Sequence, residues 1–369
     1  MREQDGMKTT LLEKWKSEMG ESATAWGRFF LLAALLSTSS LSCKDDNSTG
    51  PAETSPELEE AFSLAGQNAN LKCLIVWKDG QIVREKYFHI GDHLSVHDVR
   101  SVTKSIMATL IGIAIDKGII PSEDAPIGNY ISSLVDTLEP AKAGITIRQL
   151  LSMTSGLEGN DIPDVMEYNN WISAPNQVEY TLGKRRIHQP GSAFGYNTGA
   201  CHLTSVILTK AAGMSTLQFA DQYLFQPLGI EANSWGKDRQ GYYNGGAALS
   251  LTPQDMLKIG QLYLAKGVHN GVRIISESWI EKATTSQITT TNILSFGPGY
   301  GYLWWVGNTG GHGYFFANGY GGQFIVVVPD LNLVVVATNV WSGVPPATAS
   351  QQWSSTLTLI MNNIVALYD

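Results

Sequence analysis

The chain has 369 residues, 43% of them hydrophobic and 16% charged, which is enough apolar material for one large globular unit or for two lobes sharing a core. A formal net charge of -8 removes the electrostatic footprint of a nucleic-acid binder. Thirty-seven Gly and fourteen Pro are scattered without a repeat period, so solenoids and propellers are excluded.

Residues 1–43 read as an address. Arg28 precedes the apolar run Phe29 to Leu36, followed by the small residues Ser37 to Ser40 and by Leu41-Ser42-Cys43. A run this short cannot span a bilayer as a helix, but with a positive charge ahead and small residues behind it fits an export signal, for which Met7 and Met19 are alternative starts. Leu41-Ser42-Cys43 resembles the lipobox of bacterial lipoproteins, with Ser40 where a Leu is usual. That resemblance implies a lipid on Cys43 anchoring an exported domain in the bacterial cell envelope, in the periplasm or at the outer-membrane surface. A cut elsewhere would leave Cys43 without a role. Residues 44–56 form a polar tether too poor in apolar side chains to fold, so the folded domain is expected over 57–369.

Leu71 to Val76 and Gln81 to Phe88 read as strands joined at Asp79-Gly80. Val102 to Lys117 is apolar nearly all round, as a central buried helix is, and Gly118 stops it. Between Pro121 and Ser286 helical segments alternate with Pro/Gly loops. One helix is expected over Thr146 to Met153, one over Thr204 to Ala212 ending at Gly213, and one from Thr252-Pro253 with Asp255 at its positive end. The β-branched runs Phe324 to Pro329 and Leu331 to Ala337 are strands, and Ser350 to Leu367 is a closing helix. The fold class is therefore α/β (α+β): a sheet built from both chain ends, flanked by helices, with a mainly helical lobe inserted at about 120–286 and a ligand site at the seam. Cys73 and Cys201 lie in apolar segments, where a disulfide and two buried thiols are both open.

The chemistry concentrates at Ser101-Val102-Thr103-Lys104, the head of the buried helix. Three apart, Ser and Lys share a helix face, and the helix start aims backbone amides at the Ser oxygen. An amine drawn into an apolar site has a lowered pKa and can take the hydroxyl proton. Ser-x-x-Lys alone is a weak signal, and a Ser at a helix start is as readily a cap. A second copy, Ser234-Trp235-Gly236-Lys237, has no apolar helix behind it and reads as a surface turn.

The stretches VRSVTKSIMATLIGIAIDKG, ITIRQLLSMTSGL, PGSAFGYNTGACHL, LTPQDMLKIGQLYL, YGYLWW and ANGYGGQFIVVVP, in this order from about Leu71 to Val340, resemble the serine β-lactamase and penicillin-binding superfamily. The likeness is to its class C branch, which also holds D,D-peptidases, D-aminopeptidases, carboxylesterases and 6-aminohexanoate-dimer hydrolases. The resemblance implies a β-lactamase/transpeptidase-like fold with an antiparallel sheet, a small-molecule ester or amide substrate, and no cofactor. It makes Ser101 the acylated nucleophile and Lys104 the adjacent amine. The Tyr-x-Asn motif falls on Tyr196-Asn197-Thr198, with Tyr196 as phenolic base and acid. The Lys-Thr-Gly motif falls on Ala317-Asn318-Gly319, and the backbone amides of Ser101 and Tyr320 become the oxyanion hole.

Two departures bear on substrate. Ala317 replaces a Lys and Thr198 an Asn, and losing a charge-assisted contact costs about 1.5–3 kcal/mol. A neutral ester or amide is therefore expected ahead of a β-lactam. Thr198, Asn318 and Gly319 are expected to contact substrate. His312 is expected to donate to substrate or orient Tyr196, or else to pack at a turn; Trp171, Trp235, Trp304 and Trp305 line a pocket or belong to the core. His93 and His97 have the spacing of a metal pair but lack the following Glu and a third ligand, so no metal is expected. The alternatives are a true β-lactamase or D,D-peptidase and, from another class, a catalytically silent ligand-binding surface lipoprotein. Fold alone does not decide among them.

Overall fold

Asp79 and Gly80 both take positive φ, 50° and 95°, as a two-residue hairpin turn requires. They join β1 (Leu71–Lys78) to β2 (Gln81–Tyr87) in a computed structural model that describes residues 55–89, 92–162, 165–231, 234–290 and 293–369. The leader, Cys43 and the tether up to residue 54 lie outside the described residues. Ser55 belongs to the fold, two residues ahead of the expected 57: it caps α1 (Pro56–Ala65) by accepting the Leu58 amide at 3.2 Å.

The other strands of the main sheet come from the C-terminal part of the chain: β3 (Ile288–Thr289), β4 (Gly299–Tyr300), β5 (Trp305–Thr309), β6 (His312–Gly319), β7 (Gln323–Val328) and β8 (Leu333–Asn339). The spatial order is β2-β1-β8-β7-β6-β5-β4-β3, every neighbour antiparallel. β1 and β8 pair, as expected of a sheet built from strands at both ends of the chain.

Every residue of β7 and β8 is buried, because helices cover both faces of the sheet. On one face α6 (Pro253–Leu264) approaches so closely that a methyl group on Gly260 would stand 2.5 Å from Val334 Cγ1. Beside it lies α2 (Val102–Asp116), its Thr109 hydroxyl 2.8 Å from the Tyr263 hydroxyl of α6. On the other face α7 (Pro346–Leu359) sets Trp353 against Phe324, ring centroids 6.1 Å apart.

The inserted segment supplies α3 (Ile147–Leu151), α4 (Met166–Ser173) and α5 (Thr198–Ala212). α5 starts at 198 rather than the expected 204, because Asn197 caps it by accepting the Ala200 amide at 2.8 Å. Tyr196 thereby stands just outside a helix start. The Ser234-Trp235 copy is not a bare turn: it pairs with Leu249–Leu251, which also pairs with His97–Asp98 ahead of α2. Cys73 and Cys201 are both buried free thiols.

Candidate active site

Seven other residues that cap described helices (Ser55, Thr146, Asn176, Asn197, Ser215, Thr252 and Ser276) accept a hydrogen bond from the helix they precede. Ser101 does not; at the start of α2 its side chain makes no capping bond. Its hydroxyl instead accepts from Lys104 Nζ at 3.0 Å. The open question of cap or functional hydroxyl therefore goes against the cap.

Lys104 is 1% exposed, with its amine also donating to the Gly246 carbonyl at 2.8 Å and to the Thr198 hydroxyl at 3.0 Å. Three oxygens thus saturate an ammonium. Burial lowers the amine to about 8; the Asp161 carboxylate opposes the fall and Arg100 adds to it. At that value roughly a tenth of the amine is in the neutral, proton-accepting form at pH 7, far more than for an ordinary Lys. Thr198 therefore serves the amine, which occupies the hydroxyl that sequence reasoning assigns to substrate.

Tyr196 is 6% exposed, stacked on Trp305 with centroids 5.8 Å apart, and Lys104 Nζ lies 4.9 Å from its ring centroid. Burial lifts the phenol well above its ordinary range, although the Ser101 hydroxyl it faces favours the ionised form. The two displacements run in opposite directions: the resting phenol keeps its proton while the amine readily gives one up.

The third motif reaches the site through backbone. Gly319 ends β6 so close to the segment before Ser101 that a Cβ would lie 2.4 Å from the Val99 carbonyl oxygen. Gly319 thus serves packing, which holds the loop of Tyr320 against the start of α2. Among the described residues neither the Ser101 amide nor the Tyr320 amide donates to a protein acceptor. Asn318 is a correction. It pairs with Phe324, on the α7 face of the sheet, and its Oδ1 accepts from Trp353 Nε1 at 2.5 Å. Strand alternation turns it away from the face that carries α2.

His312 and Trp171 also fall elsewhere. His312 opens β6 opposite Thr309, its ring 3.7 Å from Asp330. At about 3.3 Å per residue it stands on the order of 20 Å from Gly319, so it neither donates to substrate nor orients Tyr196. Trp171 is 2% exposed, edge-on to His202 at 5.4 Å, and lines a small pocket with Asp161, Asn197, Gly199 and Tyr180 beside the first turn of α5. Trp235, Trp304 and Trp305 are core. No group of His, Cys, Asp or Glu among the described residues could hold a metal ion.

Two partners of Lys104 escaped sequence reasoning. One is the Gly246 carbonyl, a backbone atom in a Gly-rich loop. The other is Asp161, whose Oδ2 accepts the Thr198 amide at 2.7 Å and whose carboxyl burial pushes up. Neither carries a local signal, since both act through tertiary contact.

An antiparallel sheet flanked by helices, with a hydroxyl held by a buried amine at the start of the central helix, defines a class: serine hydrolases. The family model described as Beta-lactamase matches residues 73–351. The 6-aminohexanoate-dimer hydrolase of Paenarthrobacter ureafaciens is 24% identical over 318 residues, covering 78% of this chain and 76% of the relative. Penicillin-binding protein 4* of Bacillus subtilis (strain 168) is 33% identical over 147 residues, 37% of this chain and 30% of that protein. The octameric penicillin-binding protein homologue from Pyrococcus abyssi shares the fold, with a TM-score of 0.65 at 21% identity over 83% of this chain and 76% of that one. The chain belongs to the Beta-lactamase family. It has the β-lactamase/transpeptidase-like fold and is a serine hydrolase.

Proposed function

We propose that the protein hydrolyses a small ester or amide through an acyl-enzyme on Ser101. The observation that carries this reading is the 3.0 Å hydrogen bond from Lys104 Nζ to Ser101 Oγ, made by an amine whose pKa burial brings to about 8. Neutral Lys104 takes the hydroxyl proton as Ser101 Oγ bonds to the substrate carbonyl carbon. The oxyanion meets the Ser101 and Tyr320 amides. As the bond to the leaving group breaks, Tyr196 gives it the phenolic proton and regains one from Lys104. Water then takes the place of the leaving group. As its oxygen bonds to the acyl carbon it gives a proton to Tyr196, which passes its own to neutral Lys104. The resulting ammonium returns a proton to Ser101 Oγ as the ester bond breaks and the acid leaves. The base is thus the amine, and the phenol is the acid, because burial acts on the two groups in opposite senses.

The name of the 24% identical relative, a dimer hydrolase, supports an amide or ester over a β-lactam. The test compares 4-nitrophenyl acetate, 4-nitroanilide amides and nitrocefin in the wild type and in Ser101→Ala. Ester or amide turnover that disappears in the variant is expected. Nitrocefin hydrolysed as fast as the ester would favour a β-lactamase, and a fluorophosphonate adduct on Ser101 without any turnover would favour a silent receptor.

We also propose that residues 1–43 direct export and that Cys43 carries a lipid. The support is the apolar run behind Arg28 and the Leu41-Ser42-Cys43 junction. Palmitate incorporation that Cys43→Ala abolishes is the expected result; equal labelling of both chains would contradict it.

A further inference from the structure

Hydrolysis as described leaves unused a cation next to the nucleophile. Arg100 precedes Ser101 with φ of 51°, the left-handed region that non-glycine residues rarely occupy. Its guanidinium lies between two rings, 4.3 Å from the centroid of Trp341 and 5.3 Å from that of Tyr168 on α4. Trp341 follows β8 and abuts the loop of Tyr320, for a Cβ on Gly321 would stand 2.6 Å from Trp341 Cβ. Tyr168 belongs to the inserted segment. Arg100 therefore bridges the sheet and the helical segment at the seam, within electrostatic reach of Lys104.

Its hydrogen-bonding capacity is almost untouched. Arg100 forms an ion pair with Asp98, whose Oδ2 stands 3.6 Å from Nη1, beyond hydrogen-bond length, and the other oxygen of Asp98 accepts the Arg100 amide at 2.8 Å. Among the described residues no acceptor takes a hydrogen bond from the guanidinium, and its Nε is buried without a partner. Yet the side chain is only 16% exposed. A planar cation held between aromatic faces with its edge donors unspent is matched to a planar anion that can accept two of them.

We propose that Arg100 is a specificity-determining residue that grips a carboxylate of the substrate, so that the ester or amide turned over at Ser101 is an anionic one. The inference rests on the reading of Ser101 as nucleophile. It revises the expectation of a neutral substrate: the charge missing at Ala317, which is wholly buried, is supplied by the residue preceding the nucleophile.

The test uses the full chain and two substrate pairs that differ by one carboxylate. These are 4-nitrophenyl hexanoate against the 4-nitrophenyl monoester of adipic acid for the acyl side, and phenyl acetate against 3-acetoxybenzoate for the leaving side. Assays run at pH 9, where Lys104 is largely neutral. The wild type is expected to show the lower KM for the acid in at least one pair, and Arg100→Gln to change that acid-to-neutral KM ratio by about ten- to a hundredfold. Arg100→Lys should keep part of the preference. A ratio identical in wild type and Arg100→Gln overturns the proposal while leaving Ser101 in place. Turnover that survives Ser101→Ala overturns the underlying reading and the proposal with it. Should Arg100→Gln not fold, the wild type alone decides: hexanoate is expected to inhibit neutral-ester hydrolysis at least about tenfold better than hexanamide, and parity refutes the grip.

Discussion

Asp161 and Lys104 share one residue: Asp161 Oδ2 accepts the Thr198 amide at 2.7 Å, and the Thr198 hydroxyl meets Lys104 Nζ at 3.0 Å. A half-buried carboxylate thus stands one residue behind a buried amine. Its attraction holds the amine pKa above the value that burial alone would set.

Asp161→Asn keeps an acceptor for the Thr198 amide and removes the charge. The Lys104 pKa should then fall further below its ordinary value. Because the neutral amine is the active form, the rising limb of kcat/KM against pH should move to lower pH. A midpoint that stays put or moves upward would show that Asp161 does not tune the amine.

Gly319 is where a small change should disturb the site most. An Ala methyl would stand 2.4 Å from the Val99 carbonyl oxygen, so the strand end or the Ser101 approach must shift. Displacements near 1 Å at a reacting centre cost on the order of a hundredfold in rate, and overpacking costs about 1–3 kcal/mol. Gly319→Ala should therefore lose kcat/KM by roughly ten- to a hundredfold with a modest fall in Tm. On the same strand Gly313 has nothing within 4 Å of a Cβ, and Gly313→Ala should behave as wild type. Equal activity in the two variants would contradict the close approach.

Away from the site, Glu123 Oε1 meets Lys282 at 2.7 Å and Arg148 at 3.1 Å with a side chain 6% exposed. Burial pushes its carboxyl up, but the two cations outweigh that and leave it below the ordinary range. A depressed folded pKa means stability that is present above the unfolded value, about 4.3, and lost as pH falls through the folded one. Both cations are partly solvated, so Glu123→Gln should cost about 1–2 kcal/mol at pH 7. It should also flatten the acid limb of the denaturation midpoint. Wild-type stability at pH 7 in the variant would remove the pairing from the account.

Tyr196 was legible from the family motif alone, and the helix it precedes starts six residues ahead of the expected 204. Ser101 and Lys104 were legible because a Ser and a Lys three apart at the head of an apolar helix form a local pattern. The hairpin at Asp79-Gly80 and the buried strands β7 and β8 were legible for the same reason, as turn chemistry and β-branched runs act locally. Errors arose where closeness in sequence was taken for closeness in space. His312 is seven residues from Gly319 but at the other end of a straight strand, and Asn318 is one residue away but on the other face. Asp161, Gly246 and Arg100 carry no local pattern. Their meaning lies in what folds against them: a helix start, an amine, and two aromatic rings.

Acylation requires the proton of Ser101 to pass to Lys104, and the rate of fluorophosphonate attachment, followed by intact mass from about pH 6 to 10, reads that step without a chosen substrate. One adduct on Ser101 is predicted, with a rate that climbs to a plateau about a midpoint near 8 and collapses in Lys104→Ala at every pH. Labelling that ignores pH across this range, or proceeds undiminished without the amine, would contradict it.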